Sequence, residues 1–252
     1  MNKYLFFIGV IMILSGNYSC NGPKNNKVAS STKEISEGEK KEPEKVTAIR
    51  ERHKNITSFL PKGYIIFDKI YGDLNKDGIE DCILVIKGTD RNNIINDEYR
   101  GELDRNRRGI IVLFRINGNY ELAIKNYDCF SSENEDGGAY YAPELDIEVS
   151  KGNLYVRYSH GRYGYWCYTF RFKNADFELI GYDDSSTTGP IVNSETSINY
   201  LTKKKIFKEN TNENIEEGGD EVFKETVARI NASKLTKLSE IKDFDELDVS
   251  EE

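Results

Sequence analysis

The chain carries short apolar segments, separated by turn residues, from residue 64 onwards. Two of them, 82–87 and 109–116, are continuous apolar runs, which is typical of strands that are buried on both faces. Segment 164–172 alternates in its side chains, which predicts a strand with one aromatic face. That face would carry Trp166, Tyr168, Phe170 and Phe172. Further strands are predicted at 64–70, 119–126, 145–149, 154–159, 177–182 and 196–207.

The turn residues between these segments connect neighbouring strands directly. Asn117-Gly118 favours a type I′ hairpin turn, and further turns are predicted at 151–153 and 174–176. Segment 222–230 fits a helix or a strand, and the alternation at its end favours a strand. Because no helical pattern separates the strands, we predict a mainly β fold, either an antiparallel meander or sandwich or a partial propeller-like domain.

Two long polar insertions interrupt this pattern. Residues 88–108 separate two of the predicted buried strands, and residues 128–143 separate two others. Loops of this length are usually functional or disordered.

Residues 1–19 have the organisation of a secretory signal. Lys3 is followed by the apolar stretch 4–14, which is too short to span a bilayer. Cys20 comes directly after Ser19, which resembles the lipobox of bacterial lipoproteins of the Bacteroidetes type. The resemblance implies cleavage before Cys20 and anchoring through acyl chains on Cys20. The alternative is an ordinary cleaved signal that leaves a free thiol.

The segment after Cys20 differs in composition from the rest of the chain. Residues 21–54 are poor in apolar side chains and rich in Lys, Glu, Ser and Asn, so they cannot bury enough surface to offset their ordering entropy. We therefore expect a lipidated, flexible tether over 20–54 and one β-rich domain over 55–252, with a frayed C-terminal end. No acidic run follows Cys20, which favours an outer-membrane anchor that faces the periplasm.

Charge and histidine content remove several classes of function. The net charge is −8, whereas nonspecific nucleic-acid binding needs a basic face. With only two histidines, His-rich metal sites and most His-dependent catalytic triads are excluded. The G-x-S-x-G, H-E-x-x-H and P-loop motifs are not present either. A non-enzymatic protein that does not bind nucleic acid is therefore the favoured interpretation.

Residues 72–81 (GDLNKDGIED) have the spacing of a cation-binding loop. Oxygen-bearing side chains stand at alternate positions, and Gly78 permits a sharp turn. Hard oxygen donors in this number suit Ca²⁺ better than Zn²⁺. An EF-hand would need an acid at position 84, which is leucine, and a helix rather than a strand after the loop. The donors would be Asp73, Asn75, Asp77, Asp81 and the backbone carbonyl of Ile79.

Residues 72–88 resemble an FG-GAP or VCBS-type repeat, the calcium-loop unit of integrin-like β-propellers. The resemblance implies a structural Ca²⁺ bound by the donors named above. The wider chain is similar to a group of bacterial lipoproteins that carry one such loop. A propeller needs about four blades or more, and the sequence holds one copy of the loop. The alternative is an Asp/Asn/Gly turn that is held by its own hydrogen bonds without an ion.

Cysteines offer a second candidate constellation. Cys82, Cys129 and Cys167 would remain after lipidation, in an oxidising compartment. Cys82 lies in a predicted buried strand and is interpreted as a core residue. One disulfide is then allowed, and Cys129 with Cys167 is the preferred pair.

Three surface patterns have both a functional and a structural interpretation. His160 is interpreted as a turn residue rather than a catalytic group. Two sets of residues are larger. A sugar-stacking platform, or simply good strand residues, would consist of Tyr155, Arg157, Tyr163 and Tyr165. A second cation site, or solvated loop charge, would consist of Glu133, Glu135, Asp136, Asp183 and Asp184.

Together these observations predict a membrane-anchored envelope lipoprotein with a structural calcium loop. The favoured function is a non-catalytic binding or assembly module for a protein or glycan partner. The alternative is an envelope hydrolase that uses loop carboxylates, which would require two facing carboxylates in a cleft.

Overall fold

The computed structural model describes residues 50–135, 142–212 and 220–249. The predicted signal, Cys20 and tether residues 21–49 lie outside the described residues. The strands of the described part are β1 (Arg52–His53), β2 (Tyr64–Gly72), β3 (Asp81–Gly88), β4 (Ile94–Asp97), β5 (Gly101–Asp104), β6 (Arg108–Ile116), β7 (Asn119–Phe130), β8 (Glu144–Ser150), β9 (Asn153–Ser159), β10 (Gly164–Lys173), β11 (Asp176–Thr188), β12 (Ile191–Asn199), β13 (Lys204–Asn210) and β14 (Phe223–Arg229). Short 3₁₀ helices span Ile56–Phe59, Arg91–Asn93, Gly161–Tyr163 and Leu238–Glu240.

These strands form antiparallel sheets, so the predicted mainly β fold is confirmed. One sheet has five strands in the order β1-β7-β6-β3-β2. The other is a seven-stranded meander from β8 to β14, in which each strand pairs with its neighbours in the sequence. β4 and β5 form a separate hairpin within the first polar insertion.

Tight turns of the predicted type connect the strands. Asn117 and Gly118 have φ of 52° and 75°, which is the left-handed pair that a type I′ turn requires. Lys151 and Gly152 repeat this pattern with φ of 53° and 72°. The chain therefore reverses within two residues and keeps neighbouring strands in register.

The two large sheets pack face to face around one main apolar core. The aromatic face predicted for β10 contributes to it, since Tyr168 and Phe170 are buried and Trp166 and Phe172 pack against them. β3 and β6 contribute residues from the opposite sheet, such as Ile83. The sandwich form of the fold prediction is thus the one that the described strands adopt.

β3 and β6 are buried on both faces, as their continuous apolar sequences predict. Their second face carries Leu84 and Ile111, which pack in a smaller core with Phe59 from the first 3₁₀ helix. The segment around this helix therefore covers the outer side of the five-stranded sheet.

Two predicted boundaries differ from those in the structure. Segment 196–207 forms the end of β12, a turn and the start of β13 rather than one strand, because Asn199 accepts hydrogen bonds from the amides of Leu201 and Thr202. At the N-terminal side, residues 50–54 are not part of a tether, since β1 pairs with β7 and Arg52 forms an ion pair with Glu121.

The described C-terminal segment belongs to the core rather than to a frayed end. The side chain of Phe244 is 2% exposed and lies against the rings of Phe130, Tyr158, Tyr168 and Phe170. Sequence pattern did not show this, because 231–249 has no regular alternation and forms no strand.

Candidate calcium loop and the outer face of the meander sheet

The loop of residues 73–80 joins β2 to β3 at the edge of the five-stranded sheet. Lys76 and Gly78 adopt φ of 64° and 85°, so the loop turns sharply at its centre, where the sequence predicts it. The Asp73 carboxylate closes the loop, because its oxygens accept the amides of Asp77 and Gly78 at 3.1 and 3.0 Å.

Asn75 and Asp77 make further hydrogen bonds inside this loop. Asn75 Oδ1 accepts the amide of Asp77 at 2.9 Å, and Asp77 Oδ1 accepts the amide of Ile79 at 2.8 Å. The Asn75 amide also donates to Asp77 Oδ2 at 3.0 Å. Asp73, Asn75 and Asp77 are thus brought together, and their side-chain oxygens accept hydrogen bonds from backbone N–H groups of the loop.

Asp81 differs from the other loop acids because it is fully buried at the start of β3. One carboxylate oxygen accepts the amide of Leu74 at 2.9 Å and that of Asn75 at 3.3 Å. The other accepts the amide of Arg115 on β6 at 3.0 Å. Burial raises the pKa of the Asp81 carboxyl above its ordinary value, although these hydrogen bonds act in the opposite direction. Asp81 therefore ties the loop to the centre of the sheet.

The oxygen donors of this loop have the right chemistry for Ca²⁺, which prefers carboxylate and carbonyl ligands. Their arrangement is that of a hydrogen-bonded turn. Across residues 50–135, 142–212 and 220–249, no three or more His, Cys, Asp or Glu side chains are grouped closely enough to hold a metal ion. Calcium binding by Asp73, Asn75, Asp77, Ile79 and Asp81 stays a prediction.

The predicted aromatic platform is partly assembled on the outer face of the meander sheet, away from the main core. Tyr155 and Arg157 on β9 share this face with Tyr165 on β10, because Thr169 pairs with Tyr155 and Cys167 with Arg157. The Arg157 guanidinium lies 4.5 Å from the centre of the Tyr165 ring. Tyr163 lies in the 3₁₀ turn instead.

A shallow groove of about 150 Å³ runs beside this stack. Tyr165 lines the groove, and so do Lys208 and Glu195, which form an ion pair at 3.2 Å across two neighbouring strands. The sequence did not single out Glu195 or Lys208, because their proximity depends on the β12–β13 register. The groove is further lined by Asp183, Asp184, Thr196, Ser197 and Ile206.

The acids proposed as a second cation site are not brought together. Asp183 and Asp184 are consecutive in β11, so their side chains point to opposite faces of the sheet. Glu133 pairs with Lys87 at 3.0 Å and Glu135 with Arg105 at 2.8 Å. Asp136 lies outside the described residues. The described members of this set therefore do not form a cation site, and Glu133 and Glu135 are ion-paired rather than simply solvated.

A second groove, of about 300 Å³, opens beside the β2–β3 hairpin. Its polar groups bind one another: the Tyr64 hydroxyl donates to Asp128 at 2.8 Å, and Asn106 is buried and bonded to Asp90. Burial, and then the Asp128 carboxylate, raise the pKa of Tyr64 to about 12. These contacts stabilise the first polar insertion, which is ordered rather than disordered.

The preferred disulfide is absent from the described residues. Cys82, Cys129 and Cys167 are free thiols, and all three are buried. Burial raises the pKa of the Cys82 thiol to about 11 and that of Cys167 above its ordinary value. The prediction that Cys82 is a core residue is confirmed, and the Cys129–Cys167 pair was wrong.

None of the helices in the described part is long and apolar enough to span a membrane. No protein-family model, curated protein or solved structure matches this chain. The resemblance of the loop to a calcium-binding repeat therefore depends on residues 72–88 alone.

Proposed function

We propose that the chain is a lipid-anchored module of the bacterial cell envelope that binds a protein or glycan partner without catalysing a reaction. The observation that supports this proposal best is the outer face of the meander sheet. There, Tyr165, Arg157 and the groove with Glu195 and Lys208 place a ring, charges and hydrogen-bonding groups on a rigid sheet. The groove is smaller than the roughly 300–1,000 Å³ of usual small-molecule sites, which favours surface binding.

Binding can be tested with purified protein and isolated envelope fractions. One fraction is treated with protease, which leaves glycans, and another is deglycosylated, which leaves proteins. We expect retention on one of the two fractions and loss of retention in Tyr165→Ala. The matched control is Tyr99→Ala, since Tyr99 is 90% exposed and lies in the separate β4–β5 hairpin. Equal retention of both variants would contradict the proposal.

The hydrolase alternative depends on Asp183 and Glu195, which line the same groove. Glu195 is ion-paired with Lys208 at 3.2 Å in this groove. Release of soluble fragments from the glycan fraction by the native protein, and its loss in Asp183→Asn, would replace binding by hydrolysis as the function.

The calcium loop is the second part of the proposal. Asp73, Asn75, Asp77, Asp81 and the Ile79 carbonyl would hold the ion, whose role is to fix the loop ahead of β3. Loops of this kind in extracellular proteins have affinities of about 10⁻⁴ to 10⁻³ M, so millimolar calcium is required. A hundredfold excess over Kd would stabilise the fold by about 2.7 kcal/mol.

Thermal unfolding with 5 mM calcium chloride or with chelator tests this part (the concentration being roughly fivefold or more above such a Kd). We expect a higher melting temperature in calcium for the native chain and no calcium response in Asp77→Ala. Asp97→Ala is the matched control, because Asp97, like Asp77, accepts backbone amide hydrogen bonds in an exposed turn but lies outside the loop. An unchanged melting temperature together with no heat in calorimetry would leave the ion-free turn.

The anchor is tested by mass spectrometry of the mature chain. We expect an acylated Cys20 at its N-terminus, and Cys20→Ala should leave the membrane fraction. A mature chain that begins elsewhere without acyl groups would contradict an anchored location.

A further inference from the structure

The meander sheet ends in an open edge strand, β14. It pairs with β13 and, within the described residues, with no other strand. All seven residues from Phe223 to Arg229 are exposed, and Val227 is 55% exposed. Nothing in the described part covers this edge on either face, so another strand can approach it.

The hydrogen-bond pattern shows which groups of β14 are available. The Ile230 amide donates to Lys203, and the Val222 carbonyl accepts from Thr211, so the even-numbered residues bond to β13. Bonding alternates along an antiparallel strand. The N–H and C=O groups of Phe223, Glu225, Val227 and Arg229 consequently point towards the open edge.

The other strand edges of the two large sheets carry features that oppose pairing. β8 presents Glu144, Asp146 and Glu148 on one face, so a second β8 would place acids opposite acids. β2 has an irregularity between Ile66 and Asp68, and β1 is only two residues long. Short, bulged or like-charged edges are the usual protection against strand addition.

The side chains of β14 have the opposite property, because the strand is complementary to itself. In an antiparallel pair with a two-fold axis at Val227, Val227 meets its own copy. Glu225 then lies opposite Arg229 of the partner subunit, and Arg229 lies opposite Glu225 of the partner subunit. This register also pairs odd-numbered residues with odd-numbered residues, which are those with available backbone groups.

We propose that β14 is a homodimerisation edge, at which two copies of this chain join their meander sheets into one continuous sheet. The register is centred on Val227, with the two Glu225–Arg229 pairs on either side of it. The self-complementary charges favour a second copy over an unrelated strand, since each copy supplies both signs at the matching positions.

Cysteine cross-linking in the full chain tests the register directly. Residues in a hydrogen-bonded antiparallel pair have Cα atoms about 5.5 Å apart, which is within the range of a disulfide. Val227→Cys should therefore give a disulfide-linked dimer under mild oxidation. Glu225→Cys is the matched control, because the two copies of residue 225 would be offset by four residues, or about 13 Å. The native chain controls for the buried cysteines.

Charge reversal tests whether the interface depends on the Glu225–Arg229 pairs. Glu225→Arg and Arg229→Glu each place like charges opposite each other and should weaken dimerisation by about tenfold, measured by sedimentation equilibrium. The double variant restores opposite charges and should recover the dimer. Lys224→Glu is the control, because residue 224 lies on the other face of the strand.

A monomer at all concentrations would overturn the proposal. So would a double variant as weak as the single ones, or Val227→Cys that cross-links no better than Glu225→Cys. A β14 that binds only strands of other proteins would give these same results and would replace the homodimer by a heterologous partner.

Discussion

Removing the Asp81 carboxylate should lower the free energy of unfolding far more than removing any other acid of the loop. Asp81→Ala leaves the amides of Leu74, Asn75 and Arg115 without their acceptor, in a place where Asp81 is 0% exposed and water cannot replace it. Hydrogen bonds to a charged acceptor are worth about 1.5–3 kcal/mol each.

The expected magnitude follows from these bonds and from the cost of burying the charge. We count the two shorter bonds, from Leu74 and Arg115, at the lower value, because burial already disfavours the ionised carboxyl. The free energy of unfolding should fall by about 3 kcal/mol. In a domain of this size about 2–4 °C of melting temperature are lost per kcal/mol, so the melting temperature should fall by about 6–12 °C.

The assay is urea unfolding followed by tryptophan fluorescence, since Trp166 packs against the core. All samples contain chelator, so that loss of an ion cannot contribute. Asp77→Ala is the control, because it removes the acceptor of the exposed Ile79 amide, and we expect a loss below about 1 kcal/mol. Equal effects of the two substitutions, or a loss below about 1 kcal/mol for Asp81→Ala, would refute the reasoning.

Further expectations concern the core and the thiols. Phe244→Ala should cost about 3–5 kcal/mol in urea unfolding, because the ring is buried among four others; a loss below about 1 kcal/mol would show that the C-terminal segment is dispensable. Gly109→Ala should lower the melting temperature strongly, since its Cβ would lie 2.0 Å from the Tyr127 carbonyl oxygen, whereas Gly181→Ala meets only ordinary contacts at 3.5 Å; similar melting temperatures would contradict this. The native state holds the Cys82 proton more tightly than the unfolded chain, because burial raises its pKa from 9.0 to about 11, so stability is lost as the pH rises above 9. Between pH 8 and pH 10 the contribution of Cys82 to this loss should be about 1 kcal/mol, so Cys82→Ala should lose less stability over this range than the native chain does. Cys82, Cys129 and Cys167 should react with a thiol reagent only after unfolding, and fast labelling of the native chain would contradict their burial.

The strands of this fold could be predicted because their patterns are local. Local sequence is enough to predict the buried strands around Ile83 and Ile111 and the turn at Asn117-Gly118. β3, β6 and the hairpin therefore agree with the prediction. The burial of Phe244 could not be predicted in this way, because a segment without regular alternation does not indicate which of its side chains pack in the core.

The candidate sites follow the same division. The spacing of Asp73, Asn75 and Asp77 identified a loop whose side chains do meet. The Glu195–Lys208 pair depends on the register between two strands, and register cannot be read from either strand alone. The wrong disulfide prediction has the same cause, since Cys129 and Cys167 lie in different sheets.

The two sheets also differ in the sequence separation between the strands that pair in them. Each pairing in the meander joins strands that are consecutive in sequence, whereas β1 reaches across 69 residues to bring Arg52 to Glu121. Local pairings form quickly, and distant ones wait for loop closure. We therefore expect the meander to form early and the five-stranded sheet to close late. Until it closes, the strands most apolar in sequence, β3 and β6, stay exposed to water, and the folding chain is most prone to aggregate in that interval.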